Sequence, residues 1–108
     1  MNTQLKKGTI ELAILKFLNI EDNYGYEVGK FISKEIDVKE GTIYLILQRL
    51  EKAGVLESYL KSEENSKRRK YYKLTVEGLE YLEALLIEWK KLSQFIENCG
   101  VQTKENNE

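Results

Sequence analysis

The chain has 108 residues, with no histidine, no proline and one cysteine, Cys99. That is one ordinary domain, and it excludes Cys/His zinc sites, intrachain disulfides and His-assisted nucleophilic catalysis together. The formal net charge of −1 gives no global sign of a polyanion partner, but Lys39 to Lys73 carries nine Lys/Arg against five Asp/Glu, a net of +4 that leaves −5 on the remainder. A locally basic segment on an acidic chain is the pattern of a protein with one anion-binding face. No Asp/Glu pair stands out from the helical charge pattern, so no enzyme and no cofactor are expected. No apolar run approaches the ~18–20 residues of a membrane span. The amphipathic start lacks a small-residue cleavage site, so the cytoplasm is the expected compartment. Cys99, near a helix end, is expected as a small core hydrophobe.

In chain order, residues 9–19 place Ile10, Ala13, Ile14, Phe17 and Leu18 at 3–4 spacing, which predicts an amphipathic helix. Asp22, Asn23 and Gly25 then predict a turn. A second helix, "YEVGKFISKEI", puts Val28, Phe31, Ile32 and Ile36 on one face. Gly29 inside it suggests a close helix crossing. "DVKEG" turns the chain into a third helix, "TIYLILQRLEKAG", with Ile43, Leu47 and Leu50 inward, Ile46 beside them and Gly54 at the position that ends it. "VLESYLKSEENSKRRKYYKLT" reads as a β-hairpin with a polar loop of five to six residues. Thr75 is expected as the N-cap of a last helix to about Asn98, with Glu77 favourable in its first turn. Leu79, Leu82, Leu86, Trp89, Ser93 and Ile96 repeat along it at alternating spacings of 3 and 4, with Leu85, Leu92 and Cys99 in a neighbouring row. That is enough seam for a dimer arm. The last residues, "VQTKENNE", are expected to fray.

Three helices, a hairpin and a further helix make a mainly α chain with a small β-hairpin: a winged helix-turn-helix plus a long C-terminal dimerisation helix. The expected division is 1–74 for the DNA-binding domain, 75–99 for the dimerisation helix and 100–108 for a polar tail.

The motifs support the same arrangement. Gly41, Thr42, Ile43 and Tyr44 open the third helix, and Arg49, Leu50, Glu51 and Gly54 close it. Arg69, Lys70, Tyr71, Tyr72, Leu74, Thr75 and Gly78 follow the wing, and "YGYEV" opens the second helix. In this order, over about residues 7–98, they resemble the PadR-like transcriptional regulators. The short arm is similar to the small subfamily with one dimerisation helix, including its lactococcal multidrug-sensing member. Leu45 departs from the family's common proline, Lys39–Glu40 from a Ser-Pro, and the wing's "SEENSK" from a Gly-rich tip. The acidic residues at that tip count against its own contact with DNA.

A helix-turn-helix places the start of its third helix in the major groove. Lys39, Thr42 and Tyr44 are therefore candidate DNA contacts, and Gln48, one turn past Tyr44, could read adenine bidentately. Tyr44 could equally be a half-buried packing residue. For Arg49 an intramolecular ion pair stands beside phosphate contact. Lys67, Arg68, Arg69 and Lys70 form a cation run that is either a solvated face or a phosphate-binding wing. Strand alternation splits it into Arg68 with Lys70 and Lys67 with Arg69, and sends Tyr71 and Tyr72 to opposite faces, one into the core.

Trp89 reads as an interface anchor. The resemblance adds that a pair of symmetry-related tryptophans can sandwich flat aromatic compounds at the dimer centre. It thereby implicates Trp89, with Ser93, Ile96, Leu12 and Ile14, in an effector pocket, and Glu88 would favour cationic ligands. The function implied is a homodimeric repressor on an inverted-repeat operator of double-stranded DNA, relieved by a small aromatic effector. The alternative is a winged-helix protein-interaction module with no specific DNA target.

Overall fold

The computed structural model describes residues 3–63 and 67–106. The elements run α1 (Thr3–Ile20), β1 (Asn23–Tyr24), α2 (Gly25–Ser33), α3 (Glu40–Lys52), β2 (Leu56–Ser62), β3 (Arg68–Leu74) and α4 (Val76–Asn106). The expected turn after α1 carries a two-residue strand, so the hairpin is completed to a three-stranded antiparallel sheet in the order β1-β3-β2. Asn23 pairs with Tyr72 and Tyr24 with Tyr71 on one side of β3. On the other, Ser58 pairs with Tyr72 and Tyr59 with Tyr71.

The helical periodicities converge on one core. Ile10, Ile14, Leu15 and Leu18 of α1 meet Val28 and Ile32 of α2, with Ile36 just beyond it. They also meet Ile43, Leu47 and Leu50 of α3, and Leu56, Tyr72 and Leu82. Leu15 lies one residue off the expected α1 row, because that helix is covered by α2, the sheet and α4 together. Phe31, expected on the same face as Val28, Ile32 and Ile36, is exposed where they are buried, and stacks on Phe17 with ring centroids 4.3 Å apart. Ile14 is fully buried in this core. Gly29 is not needed for a close crossing: a Cβ there would meet Ile43 Cγ2 at 3.9 Å, an ordinary contact.

Local chemistry sets the ends of the elements. Gly54 closes α3 with φ of +79°, a left-handed conformation that costs glycine nothing. Thr75 caps α4 as expected: the Gly78 amide donates to its Oγ1 at 2.9 Å. The same hydroxyl donates back to the Gly54 carbonyl at 2.6 Å, tying the end of α3 to the start of α4. α4 runs on past Asn98 to Asn106, so helix continues into the stretch expected to fray. At 31 residues it is roughly 46 Å long, since each residue rises about 1.5 Å. The long axis of the molecule is 67 Å against 28 and 22 Å for the others.

Candidate nucleic-acid interface

α3 divides its residues sharply. Ile43, Leu47 and Leu50 are buried, whereas Lys39 at its N-cap and Gly41, Thr42, Tyr44, Leu45, Gln48, Arg49 and Lys52 are exposed. Leu45 is 67 % exposed, in the middle of the outward row. The sequence alone could have flagged it, because it falls two residues off the inward row of Ile43 and Leu47.

Tyr44 and Gln48 share one flank. With Tyr24, Gly25, Tyr26, Arg69, Lys70 and Tyr72 they line a cleft of about 610 Å³ between α3, the start of α2 and the wing. The Tyr44 ring lies so close to Gly25 that a Cβ there would stand 2.4 Å from it. Only glycine lets this ring seat, which gives "YGYE" a physical role. The Tyr44 hydroxyl donates to Glu40 Oε1 at 3.3 Å, and burial followed by that bond pushes its pKa above the ordinary value. Tyr44 is therefore both the packed residue and a surface residue: ring held, hydroxyl at the rim.

Arg49 lies on the opposite flank, where Nη2 reaches Glu11 Oε2 of α1 at 2.8 Å. Of the two readings left open for Arg49, the structure contains the ion pair.

The wing cations separate by face. Lys70 pairs with Glu51 Oε1 of α3 at 3.0 Å and covers the Tyr72 ring at 5.3 Å. Glu51 also accepts from Ser58 Oγ at 2.5 Å; this bond, then the Lys70 bond, hold the carboxylate below its ordinary range. Lys70 is raised in return, chiefly by Glu51. Arg69 lies over the Tyr24 ring at 4.5 Å on the other face. Lys67 and Arg68 are exposed at the wing end of β3. Glu64, Asn65 and Ser66 of the expected acidic tip lie outside the described residues.

Tyr71 and Tyr72 do point to opposite faces, and both are buried. Tyr72 joins the core. Tyr71 packs with Tyr24 and Tyr59 on the outer face of the sheet and donates to Glu63 Oε1, which pushes its pKa up to about 12.

The arm places the remaining candidates. Trp89, 48 % exposed, lines a groove of about 240 Å³ between α1 and α4 with Gly8, Thr9, Leu12, Leu85, Glu88 and Leu92. Leu12 and Trp89 are thus brought together, with Glu88 beside them. Ser93 donates to the Trp89 carbonyl at 2.5 Å, and Ile96 is exposed one turn on. Ile14 is corrected: it is a core residue on another face of α1 and cannot line a pocket at an outer seam. Cys99, expected in the core, is exposed because α4 has left the core by that point. Among the described residues no group of His, Cys, Asp or Glu could hold a metal ion, and no helix is long and apolar enough to cross a membrane.

A second helix leading through a short turn to an outward-facing third, followed by a β-wing, defines a winged helix-turn-helix protein, here with a long C-terminal arm. The model of the PadR-like family of transcriptional regulators matches residues 14–84. An uncharacterised protein of Lysinibacillus sphaericus is 34 % identical over 101 residues, covering 90 % of this chain and 93 % of its own. A PadR-like transcriptional regulator from Bacillus cereus has the same fold, with a TM-score of 0.82 at 37 % identity over 89 % of this chain and 95 % of its own. More distantly, PadR of Bacillus subtilis, solved in complex with operator DNA, superposes with a TM-score of 0.64 at 24 % identity, over 73 % of this chain and 47 % of its own. The chain belongs to the PadR-like family of transcriptional regulators; it is a regulator and not an enzyme.

Proposed function

We propose that the protein is a homodimeric, sequence-specific DNA-binding repressor that reads an inverted-repeat operator. One observation carries this reading. The outward row of α3 presents Thr42, Leu45 and Gln48 to solvent, with Lys39 at the helix start, while the opposite row is fully buried. A helix shaped this way fits a major groove, with Gln48 suited to adenine and Leu45 to a thymine methyl group. Lys39, Lys67 and Arg68 lie exposed around it and suit phosphates. Arg69 and Lys70, engaged with Tyr24 and Glu51, position the wing and make secondary phosphate contacts.

The dimer reading rests on α4. Ile87, Trp89, Leu92, Phe95 and Ile96 are all exposed on it. An isolated helix of such residues gains little from propensity alone and needs a packing partner. A second copy laid along this seam supplies one and sets the half-site spacing. The Leu12–Trp89 groove is smaller than the roughly 300 Å³ at which ligand pockets begin, so a mate contributing its own groove would bring the pair into range. Trp89 then walls a site for a flat aromatic effector. Glu88 favours a cationic one, and its binding relieves repression by altering the angle between the wings.

The test is fluorescence anisotropy of the protein on DNA upstream of its own gene at several salt concentrations. Binding that beats scrambled DNA, with a log–log salt slope of about −0.9 per neutralised phosphate, is the expected result. Weak, sequence-indifferent binding that salt barely touches would favour a winged module serving a protein partner.

A further inference from the structure

The two working parts of the molecule have little direct packing in common. α3 rests on α2 and β2, whereas α4 rests on α1 and β3. Beyond the Thr75 link at the start of α4, a polar device connects them through α1. Glu11 Oε2 accepts from Arg49 Nη2 of α3 at 2.8 Å, and Glu11 Oε1 accepts from the Tyr81 hydroxyl of α4 at 2.5 Å. The Glu11 side chain is 16 % exposed and Arg49 59 %.

We infer that Glu11 is a positioning residue, whose two carboxylate oxygens lock the arm to the reading helix and so fix the angle between the two reading heads of the dimer. The inference rests on the dimeric, DNA-reading function proposed above.

The geometry supports it at two points. At its start, α4 is fixed within its first turn: Thr75 is bonded to Gly54, and Gly78 is pressed so tightly on Val55 that a Cβ would stand 2.0 Å from the Val55 carbonyl oxygen. Leu82 is buried in the core and Leu85 and Leu86 pack against it, holding the helix down by non-directional apolar contact. The Tyr81–Glu11 bond adds a directional restraint next to them.

Energy does not explain the arrangement. A pair with an exposed arginine contributes little to stability. Its use is directional, since charge-assisted bonds to the two oxygens of one carboxylate demand a fixed relation between the two donors. Beyond Tyr81 the arm extends roughly 35 Å at about 1.5 Å per residue, so a small rotation there becomes a large displacement of the second head. Leu12, next to Glu11 in sequence, lines the Trp89 groove. An occupant of that groove therefore bears on α1 and α4, two of the three helices that the clasp joins.

The experiment uses the full chain without DNA. Cys99→Ser removes the native thiol and Lys39→Cys carries a nitroxide label at the start of α3, so that pulsed electron resonance reads the distance between the two reading heads. The parent should give one narrow distance distribution. Tyr81→Phe, which removes only a hydroxyl and keeps the ring, and Glu11→Ala should both broaden and shift it while circular dichroism stays unchanged. A dimer whose distribution is unaltered in Tyr81→Phe, even with a lowered melting temperature, would reduce Glu11 to a structural role and overturn the proposal. Absence of any inter-label distance, with a monomer in sedimentation, would instead remove the dimer reading and the proposal with it.

Discussion

The first turns of α4 and its later turns differ sharply although they belong to one continuous helix. Up to Leu86 the helix lies against the winged domain: Leu82 is fully buried, Leu85 and Leu86 are partly covered, and Gly78 touches the Val55 backbone. From Ile87 onward the same spacing of apolar residues continues, but Ile87, Leu92, Phe95 and Ile96 are exposed. The periodicity is unchanged and the surroundings are not. An apolar stripe thus marks a need for cover without specifying whether the cover comes from the same chain. In the early turns it comes from α1 and the sheet; in the later ones a second copy is the proposed source.

Substitutions at matched positions of the two halves test this contrast. Leu82→Ala should cost about 2–5 kcal/mol of unfolding free energy, the range for a buried leucine whose cavity cannot collapse, read from the urea midpoint of the whole protein. Trp89→Ala should leave the secondary structure of the winged domain intact and weaken dimerisation by roughly 2 kcal/mol, about thirty-fold in dissociation constant. Sedimentation at low micromolar concentration checks it. A dimer as tight as the parent would demote Trp89 from anchor to lining.

Smaller effects sharpen the comparison within the winged domain. Arg68→Ala with Lys70→Ala should weaken specific and non-specific DNA binding together, and make the salt slope shallower by about 0.9 for each phosphate no longer neutralised. Most of that weakening should come from Arg68, since Lys70 is already engaged by Glu51. Equal affinity at moderate salt would show that the wing does not touch DNA.

The smallest effect is in acid. Burial raises the Glu11 pKa, but the bonds from Tyr81 and Arg49 and the Arg49 charge outweigh it and hold the carboxyl below its ordinary 4.5. Glu51 is lowered by Ser58 and Lys70. In both, the folded state binds its proton less readily than the unfolded one, so the stabilisation is present above about pH 4.5 and is lost as pH falls through the lowered values. Glu11→Gln and Glu51→Gln should each flatten the fall of the denaturation midpoint between neutral pH and pH 3. An acid limb as steep as the parent's in both variants would mean that other carboxylates govern it.

The element order was legible from residue spacing and punctuation: three apolar periodicities of helical type, Gly54 to stop α3, paired tyrosines in an extended segment, Thr75 to start α4. These are local preferences of a few neighbouring residues, and the chain expresses them whatever packs around it. The outward face of α3 was legible for the same reason, since a helix that buries Ile43, Leu47 and Leu50 must turn Thr42 and Gln48 outward.

Tertiary structure decided what depends on residues far apart in sequence. Asn23–Tyr24 is a strand only because β3 offers it a free edge. Ile14 belongs to the core and not to the arm groove because α1 is covered on more than one side. Arg49 finds Glu11 at a separation of 38 residues, and Tyr81 finds the same carboxylate at 70. No local pattern encodes such partners. They are chosen when the helices cross, by which charged and hydroxyl groups the packing of apolar faces brings within hydrogen-bonding reach.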